Sequence, residues 1–483
     1  MAVFYNEGEQ KIRPGVYQRY ENVGLGNIVG AQDGIAAIGI QSSWGPLGKV
    51  VKSTLKRQLE ETYGSGTYGS GYTVPAAAAL FDGGCATVYT YRMGTGGTAA
   101  SKSLAGTAPE SSALSCTAKY PGTYPISVAI QEKLGDSTIK QFLVYANGTL
   151  VETFNFAADT TAEGANLIAA AAASEYVTLA VPSGGTSPTT IATLAVASGA
   201  LTGGANPTVT NASYSAAWAA LEPYYYNVIT LDVDDDASMT LSLLLQAYLD
   251  AAYPMGKLGM AVVGEKSTVT FANRAAHAKA FNDAKVVYLG GGWMAGQTSY
   301  DGVLGICFTA GVIASTPANR GITHATINGG TDLCESLTYS QYEDAILNGM
   351  LMVSMSPDGA IWYDSGINTL TNPNEATEDD GWKKIRRVKV RFELFDRLDR
   401  QLAPKVGRIS ADSDGVADVV QSGQRVLDAM ANNEGKLQPG ATFYADPENP
   451  YTGDSAWFII QADDIDSLEK IYLQYQFRYS QNA

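Results

Sequence analysis

The sequence predicts an α/β (α+β) multidomain protein with extended arms at both ends and a β-rich domain inserted in its middle. Strand-like and helix-like runs alternate from Ile35 to Met93 and again from Tyr224 to Trp293, the order of an α/β layer. Between them, residues 98–212 read as short runs separated by Gly, Pro and Ser, with the regular turn spacing of a small β-rich domain. Finally, Ile471, Leu473, Tyr475, Phe477 and Tyr479 alternate with Tyr472, Gln474, Gln476, Arg478 and Ser480. That two-residue period is the mark of a half-buried strand. The chain stops three residues after Ser480, so no hairpin returns to cover this strand, and what it pairs with is left open by the pattern itself.

The first residues carry no helical period and read as an extended arm, 1–22, with a short strand around Val16, Tyr17 and Tyr20. "DGIAAIGIQSSWGPLGKV" is a buried strand, Ile35 to Ile40, followed by a Gly-Pro turn. "STLKRQLEETYG" has helical spacing of Leu55 and Leu59. "TVPAAAALFDGG" is a helix with Pro75 in its first turn and Gly83 at its stop, and "ATVYTYRM" is a strand. In the insert, "YPISVAIQEK", "KQFLVYANGTLVETFNF" and "YVTLAVPS" read as strands, with Asn147-Gly148 a two-residue hairpin turn. From Tyr176 to Leu221 there is no charged residue. The α/β order then resumes: strand "YYYNVITLDV", helix "SMTLSLLLQAYLDAAYP", strand "KLGMAVVG", helix "TFANRAAHAKAFND", strand "KVVYLGGGW". Residues 23–97 and 213–372 therefore form one domain interrupted by 98–212. Residues 373–483 form a C-terminal domain with a long helix, "EDDGWKKIRRVKVRFELFDRLDRQLAPK", a second helix, "DGVADVVQSGQRVLDAMANN", and strands at "DSAWFIIQAD" and about 468–483.

The totals fit this division: 483 residues suggest roughly three domains. A net charge of -16 repels phosphate backbones and anionic lipid, so direct nucleic-acid binding and membrane insertion are not expected. No signal peptide and no bilayer-length apolar run is read. Cys85, Cys116, Cys307 and Cys334 are scattered without a C-x-x-C pair and read as small buried residues, not as a metal site or disulfide frame. No cofactor is expected.

No catalytic motif survives inspection. "GSGTYG", Gly64 to Gly69, matches a dinucleotide fingerprint by letter but follows a helix-like run, where the motif needs a preceding strand. "GMAVVGEKST" has strand and helix in the right order, but Glu265 stands between Gly264 and Lys266, where a phosphate loop needs Lys directly after Gly. A nucleotide-using enzyme built on 259–268 is the runner-up reading, and a carbohydrate-binding adhesin using the insert is a third. "DVDDDAS" resembles a calcium loop at Asp232, Asp234 and Asp236, yet Ala237 and Leu243 replace its turn Gly and closing Glu. His277 and His324 are the only histidines and lie in no triad-like or H-E-x-x-H motif. "KKIRRVKVR" places Lys383, Lys384, Arg386, Arg387, Lys389 and Arg391 on an acidic protein. Nucleic acid, a solvated helix face, or an acidic protein surface could account for it; the overall charge weighs against the first.

Six stretches, in order along most of the chain, resemble the contractile tail sheath family of phages and phage-tail-like bacteriocins, in particular its Gram-positive and defective-prophage type. They are "RPGVY", "SSWGPLGKV", "AAAALFDGGCATVYTYR", "ALTGG" at the end of the insert, "SLTYSQYEDAILNGMLMVSMSPDGAIWYDSGINTLT" and "IIQADDIDSLEKIYLQYQF". The resemblance implies a non-enzymatic structural subunit of a virion tail or headless tail-like particle, made in the host bacterial cytoplasm. It implies polymerisation as stacked six-fold rings around an inner tail tube, with baseplate and tail-terminator proteins as further partners, and contraction that drives the tube through the target cell envelope. In such sheaths the terminal segments are lent to sheets of neighbouring copies. That role falls here on Val16, Tyr17, Tyr20, Ile471, Leu473, Tyr475, Phe477 and Tyr479, while the basic helix is expected to face the tube or an adjoining subunit.

Overall fold

The computed structural model describes the backbone at residues 3–4 and 17–18, and residues 33–69, 71–108, 113–158, 161–181, 191–234, 239–376 and 378–477. The expected site positions Val16, Tyr20 and Tyr479 lie outside them, as does Asp236. At the start of the chain Val3–Phe4 pairs in parallel with Tyr17–Gln18. The fold is mixed α and β and divides into two compact units, 32–392 with 464–483, and 1–31 with 393–463.

The larger unit is organised by a seven-stranded sheet. Its order across the sheet is Met350–Leu351, Val286–Leu289, Met260–Gly264, Val228–Thr230, Ile35–Ile40, Thr87–Arg92 and Val50–Ser53. Neighbours pair in parallel except the last, which runs antiparallel at the edge. The central strands are apolar on both faces because both are covered. Ala36, Ile38 and Ile40 join Leu59, Leu80, Ile306 and Ile313 in one core. Ile35 and Ala37 face the other side, with Trp218, Leu245, Leu249 and Phe281. Two helices cross at glycines: a Cβ on Gly83 would stand 2.1 Å from the Phe308 carbonyl oxygen, and one on Gly311 2.3 Å from that of Leu80.

Several expected elements are present. Lys56–Tyr63 and Val74–Asp82 are helices, Gly83 following the second as its C-cap. Asn147 and Gly148 have φ of 48° and 79°, the left-handed pair a tight hairpin demands. The structure adds the Val50–Ser53 edge strand and helices Asn211–Leu221, Val303–Ser315 and Tyr339–Leu347.

Residues 101–200 form two four-stranded antiparallel sheets around a core that includes Leu114, Phe142, Val144, Phe156 and Leu167. The chain enters and leaves this sandwich side by side, through bridges Thr95 to Thr208, Thr98 to Ala205 and Ser101 to Thr202. Its root is fastened to the α/β layer. Trp44, from the loop after the Ile35–Ile40 strand, is enclosed by Tyr120, Tyr124 and Tyr176 at ring-centroid distances of 5.0, 5.7 and 5.7 Å. The fully buried Arg92 guanidinium donates to the carbonyls of Ser42, Gly45 and Pro121. Trp44→Ala should cost about 3–5 kcal/mol, read by hydrogen exchange as loss of protection in residues 113–130 before the parallel sheet opens.

The sheet turns in both directions from Ile35–Ile40: the chain goes first to Val50–Ser53 and Thr87–Arg92 on one side and later to Val228–Thr230 on the other. The crevice at the carboxyl ends of two such strands is where open α/β sheets hold ligands. Here Asp232, fully buried, fills it. Its carboxylate accepts from Thr73 Oγ1 at 2.5 Å and Tyr214 OH at 2.8 Å, and Tyr68 OH donates to its carbonyl at 3.1 Å. Burial lifts the carboxyl from 3.8 to about 6. A raised carboxyl favours the fold below its unfolded value, and that contribution is lost as pH rises through about 6. Thermal unfolding of wild type and Asp232→Asn should therefore diverge between these limits, the wild type losing stability relative to the variant as pH rises.

Candidate assembly interface

The loop after Met260–Gly264, read above as a broken phosphate cradle, is committed to internal contacts. Glu265 is bonded to His277 Nδ1 at 2.8 Å and to the Tyr288 hydroxyl. Lys266 pairs with Asp234 at 2.5 Å, and Ser267 donates by N–H and Oγ to Asp301 at 2.9 and 2.7 Å. Three carboxylates at the loop oppose a phosphate. His324 lies elsewhere, stacked on Trp362 with centroids 4.0 Å apart. Among the described residues no group of His, Cys, Asp and Glu has the arrangement of a metal site, and no helix is long and apolar enough to cross a membrane.

The C-terminal segment is different. Residues 465–477 belong to no helix or strand, and among the described residues they make no backbone-to-backbone hydrogen bond. Ile471, Leu473, Tyr475 and Phe477 are 71, 70, 72 and 93% exposed. Tyr475 and Phe477 lie nearly parallel, 6.2 Å apart, as side chains two residues apart on one side of an extended chain do. The expected strand is thus an apolar segment that joins no sheet among the described residues.

The base of this arm rests on the basic helix. A short 3₁₀ turn, Asp380–Lys383, precedes Ile385–Leu402. Ile385, Val388 and Phe392 enter the core and turn the intervening cations outward. Arg387 grips Asp464 with two bonds of 2.6 and 2.7 Å, and Arg391 reaches Asp464 at 3.2 Å and Asp379 at 3.0 Å while lying over Trp382. Lys384 bridges Asp466 and Glu469 at 2.8 and 2.9 Å. Arg386 donates to Ser467 Oγ at 2.9 Å, and Thr323 Oγ1 to Glu469 at 2.9 Å. Lys389 turns away to the carbonyls of Ile313 and Thr316, and Lys383 pairs with the exposed Asp380. For Lys384, Arg386, Arg387 and Arg391, the partner sought from the sequence includes residues 464–469 of the same chain. The spacing of Asp464, Asp466 and Glu469 was the available signal, hidden because nothing in sequence said which helix they met.

The smaller unit carries a two-stranded ribbon, Thr442–Ala445 antiparallel to Phe458–Gln461. Phe443 packs on Gly423 of the helix Ser413–Asp428, where a Cβ would stand 2.5 Å from its ring. Gln424 lies along one edge as a strand would, donating to the Ala441 carbonyl at 2.9 Å and accepting from Phe443 N–H at 2.8 Å. No strand covers the Phe458–Gln461 edge among the described residues. Beside it lies a groove of about 300 Å³ lined by Phe458, Tyr451, Val416, Val419, Val406 and Leu402 among others.

Residues 208–369 match the family model of the phage tail sheath protein central domain. The whole fold is similar to that of a sheath tail protein of Listeria innocua, with a TM-score of 0.68 and 18% identity over 90% of this chain and 96% of that one. It is equally similar to a sheath tail protein of Desulfitobacterium hafniense, with a TM-score of 0.68 and 19% identity over 93% and 100%. The fold is that of a contractile tail sheath protein. The helical sheath of the anti-feeding prophage, in its contracted state, shares it at a TM-score of 0.54 and 11% identity, over 97% of this chain and 99% of that one. In sequence, the uncharacterized protein YqbK of Bacillus subtilis is 22% identical across 98% of this chain and 99% of its own length. The matched central domain of the sheath fold includes the strands from Val228 to Tyr363, hence the filled crevice at Asp232.

Charge fixes the arm's response to acid. Burial acts to raise Asp464, but Arg387 and Arg391 outweigh it and hold the carboxyl below its ordinary 3.8. Burial alone would lower the Lys384 ammonium, and Asp466 and Glu469 instead carry it above the usual lysine range. A depressed carboxyl stabilises above its unfolded value and loses that contribution as pH falls through its folded one. A nitroxide at position 465, beside Asp464, should therefore keep the same mobility from neutral pH down to about 3.8 and become mobile below it. Loosening that begins near neutrality would contradict the clamp.

Proposed function

We propose that this chain is the structural subunit of a contractile tail sheath, polymerising as stacked six-fold rings around an inner tail tube and contracting to drive the tube through a target cell envelope. The observation that carries the reading is the arm: residues 471–477 hold an apolar, alternating face in water and pair with no strand among the described residues. Such a segment is an unfilled hydrogen-bonding edge, and another copy of the chain is the partner that removes it. The Phe458–Gln461 edge, with its apolar groove, is the acceptor in this reading, since Gln424 already occupies the opposite edge.

Each backbone hydrogen bond gained contributes about 1 kcal/mol net, and each large apolar side chain buried roughly 1.5–3 kcal/mol. A seven-residue strand with four such side chains on one face can hold neighbouring subunits together while rigid bodies move between them. Because the donor edge and the acceptor edge are different surfaces, repeated contacts generate a ring or an open helix and not a closed pair. Contraction is then a change of lattice packing, with no bond broken. The N-terminal arm, through Val16, Tyr17 and Tyr20, has the same role in this reading. Baseplate and terminator proteins close the ends, and Lys383, with the rest of the basic face, borders the tube or the adjoining subunit.

Purified full-length protein should form hollow striated cylinders in negative-stain microscopy. Deleting residues 470–483 should leave a folded monomer, by circular dichroism and unfolding midpoint, that forms none. Cylinders from the truncated chain would refute strand donation by this arm.

A further inference from the structure

The base of the arm is attached by charge and hardly by burial. Leu468, its one large apolar side chain past Ile465, is 82% exposed. What holds 464–469 is a row of ionic contacts, and they grade outward. The Asp464 side chain is 7% exposed and gripped by two bonds from Arg387, with Arg391 beside it. The side chains of Asp466 and Glu469, 34 and 22% exposed, share the single ammonium of Lys384. Beyond Glu469 the described arm has no carboxylate and no ionic partner: Lys470 leads directly into the exposed run from Ile471 to Phe477.

We propose that the basic face of the Ile385–Leu402 helix is an ionic anchor for the base of the arm, which sets the direction in which the arm leaves its subunit and can be released in stages by salt. The consequence for assembly rests on the sheath reading above: a pull on a donated strand passes through Lys384 and Arg387 into the helix and the core beneath it, and not into the short link between Gln461 and Asp464. The anchor itself is a property of the single chain. The more exposed pairs are screened more strongly when the Debye length falls from about 10 Å at 0.1 M salt to about 3 Å at 1 M, whereas a partly buried two-bond Arg–carboxylate pair is screened less. The outer pairs at Lys384 therefore let go first and the Arg387–Asp464 pair last.

Nitroxide mobility in the full-length monomer tests this directly, with a label at position 468 compared with one at 465 and one at 52 on the edge of the parallel sheet. Raising salt from about 0.1 to about 1 M should raise mobility several-fold at 468, less at 465, and not at 52. Lys384→Glu should give the mobile spectrum at low salt, and adding Asp466→Lys with Glu469→Lys should restore the immobilised one by reversing every charge in place. Rescue separates an anchor from a merely tolerated surface, because a structural defect would not be mended by two further changes. Mobility at 468 unmoved by salt and by Lys384→Glu would overturn the proposal, as would failure of the reversed set to restore immobilisation in a folded chain. Assembly is scored separately. If cylinders form even without residues 470–483, strand donation fails while these mobility measurements still decide the anchor. If Lys384→Glu loosens the arm and cylinders form with unaltered helical parameters, the anchor stands and its role in setting the arm's direction is refuted.

Discussion

A backbone that could pair but meets no strand among the described residues governs the rest of this structure. Ile471 to Phe477 present amide and carbonyl groups and a row of apolar side chains to solvent. Neither is stable that way: an unmatched strand edge seeks another, and the exposed side chains add the hydrophobic term to the same demand. In the reading proposed above, assembly with another copy covers the segment. The remainder of the chain reads as the apparatus that presents it, a rigid body behind the arm, a charged base under it and an uncovered ribbon edge of matching kind.

Rigidity comes from closing the places where an α/β sheet usually works. At the crevice beside Val228–Thr230, Asp232 takes the hydroxyls of Thr73 and Tyr214 where a ligand would sit. The loop after Gly264 ties Glu265, Lys266 and Ser267 to partners inside the same unit. The sandwich of residues 101–200 is fastened through Trp44 and Arg92 and does not hang from a loose pair of linkers. A layer filled in this way transmits displacement as a block, since packed interiors switch between arrangements and do not deform smoothly.

Much of this was legible in the residues, and the failures have physical causes. Strands such as Ile35–Ile40 and the turn at Asn147-Gly148 announced themselves because one residue pattern admits one backbone. The helix Val303–Ser315 did not, because it is buried nearly all round and a helix without a polar face has no period to detect. The edge strand Val50–Ser53 is short and half exposed, so its pattern is weak. Of the interface, the alternation at 471–477 and the basic run at 383–391 were both visible. Their relation was not: that Lys384 and Arg387 hold the base of the arm depends on long-range packing between 384 and 469, which no local pattern encodes. Gln424 acting as a strand edge has no sequence signal either, since only the placement of Ala441 and Phe443 makes its amide look like a peptide group.

The most direct test is to trace residues 471–477 in an electron cryomicroscopy map of the assembled particle at side-chain resolution. The account predicts this segment hydrogen-bonded along the Phe458–Gln461 edge of another copy, with its alternate side chains in the groove beside Val416 and Val419. Density showing it folded into a sheet of its own subunit, or still unpaired in the polymer, would contradict the central claim.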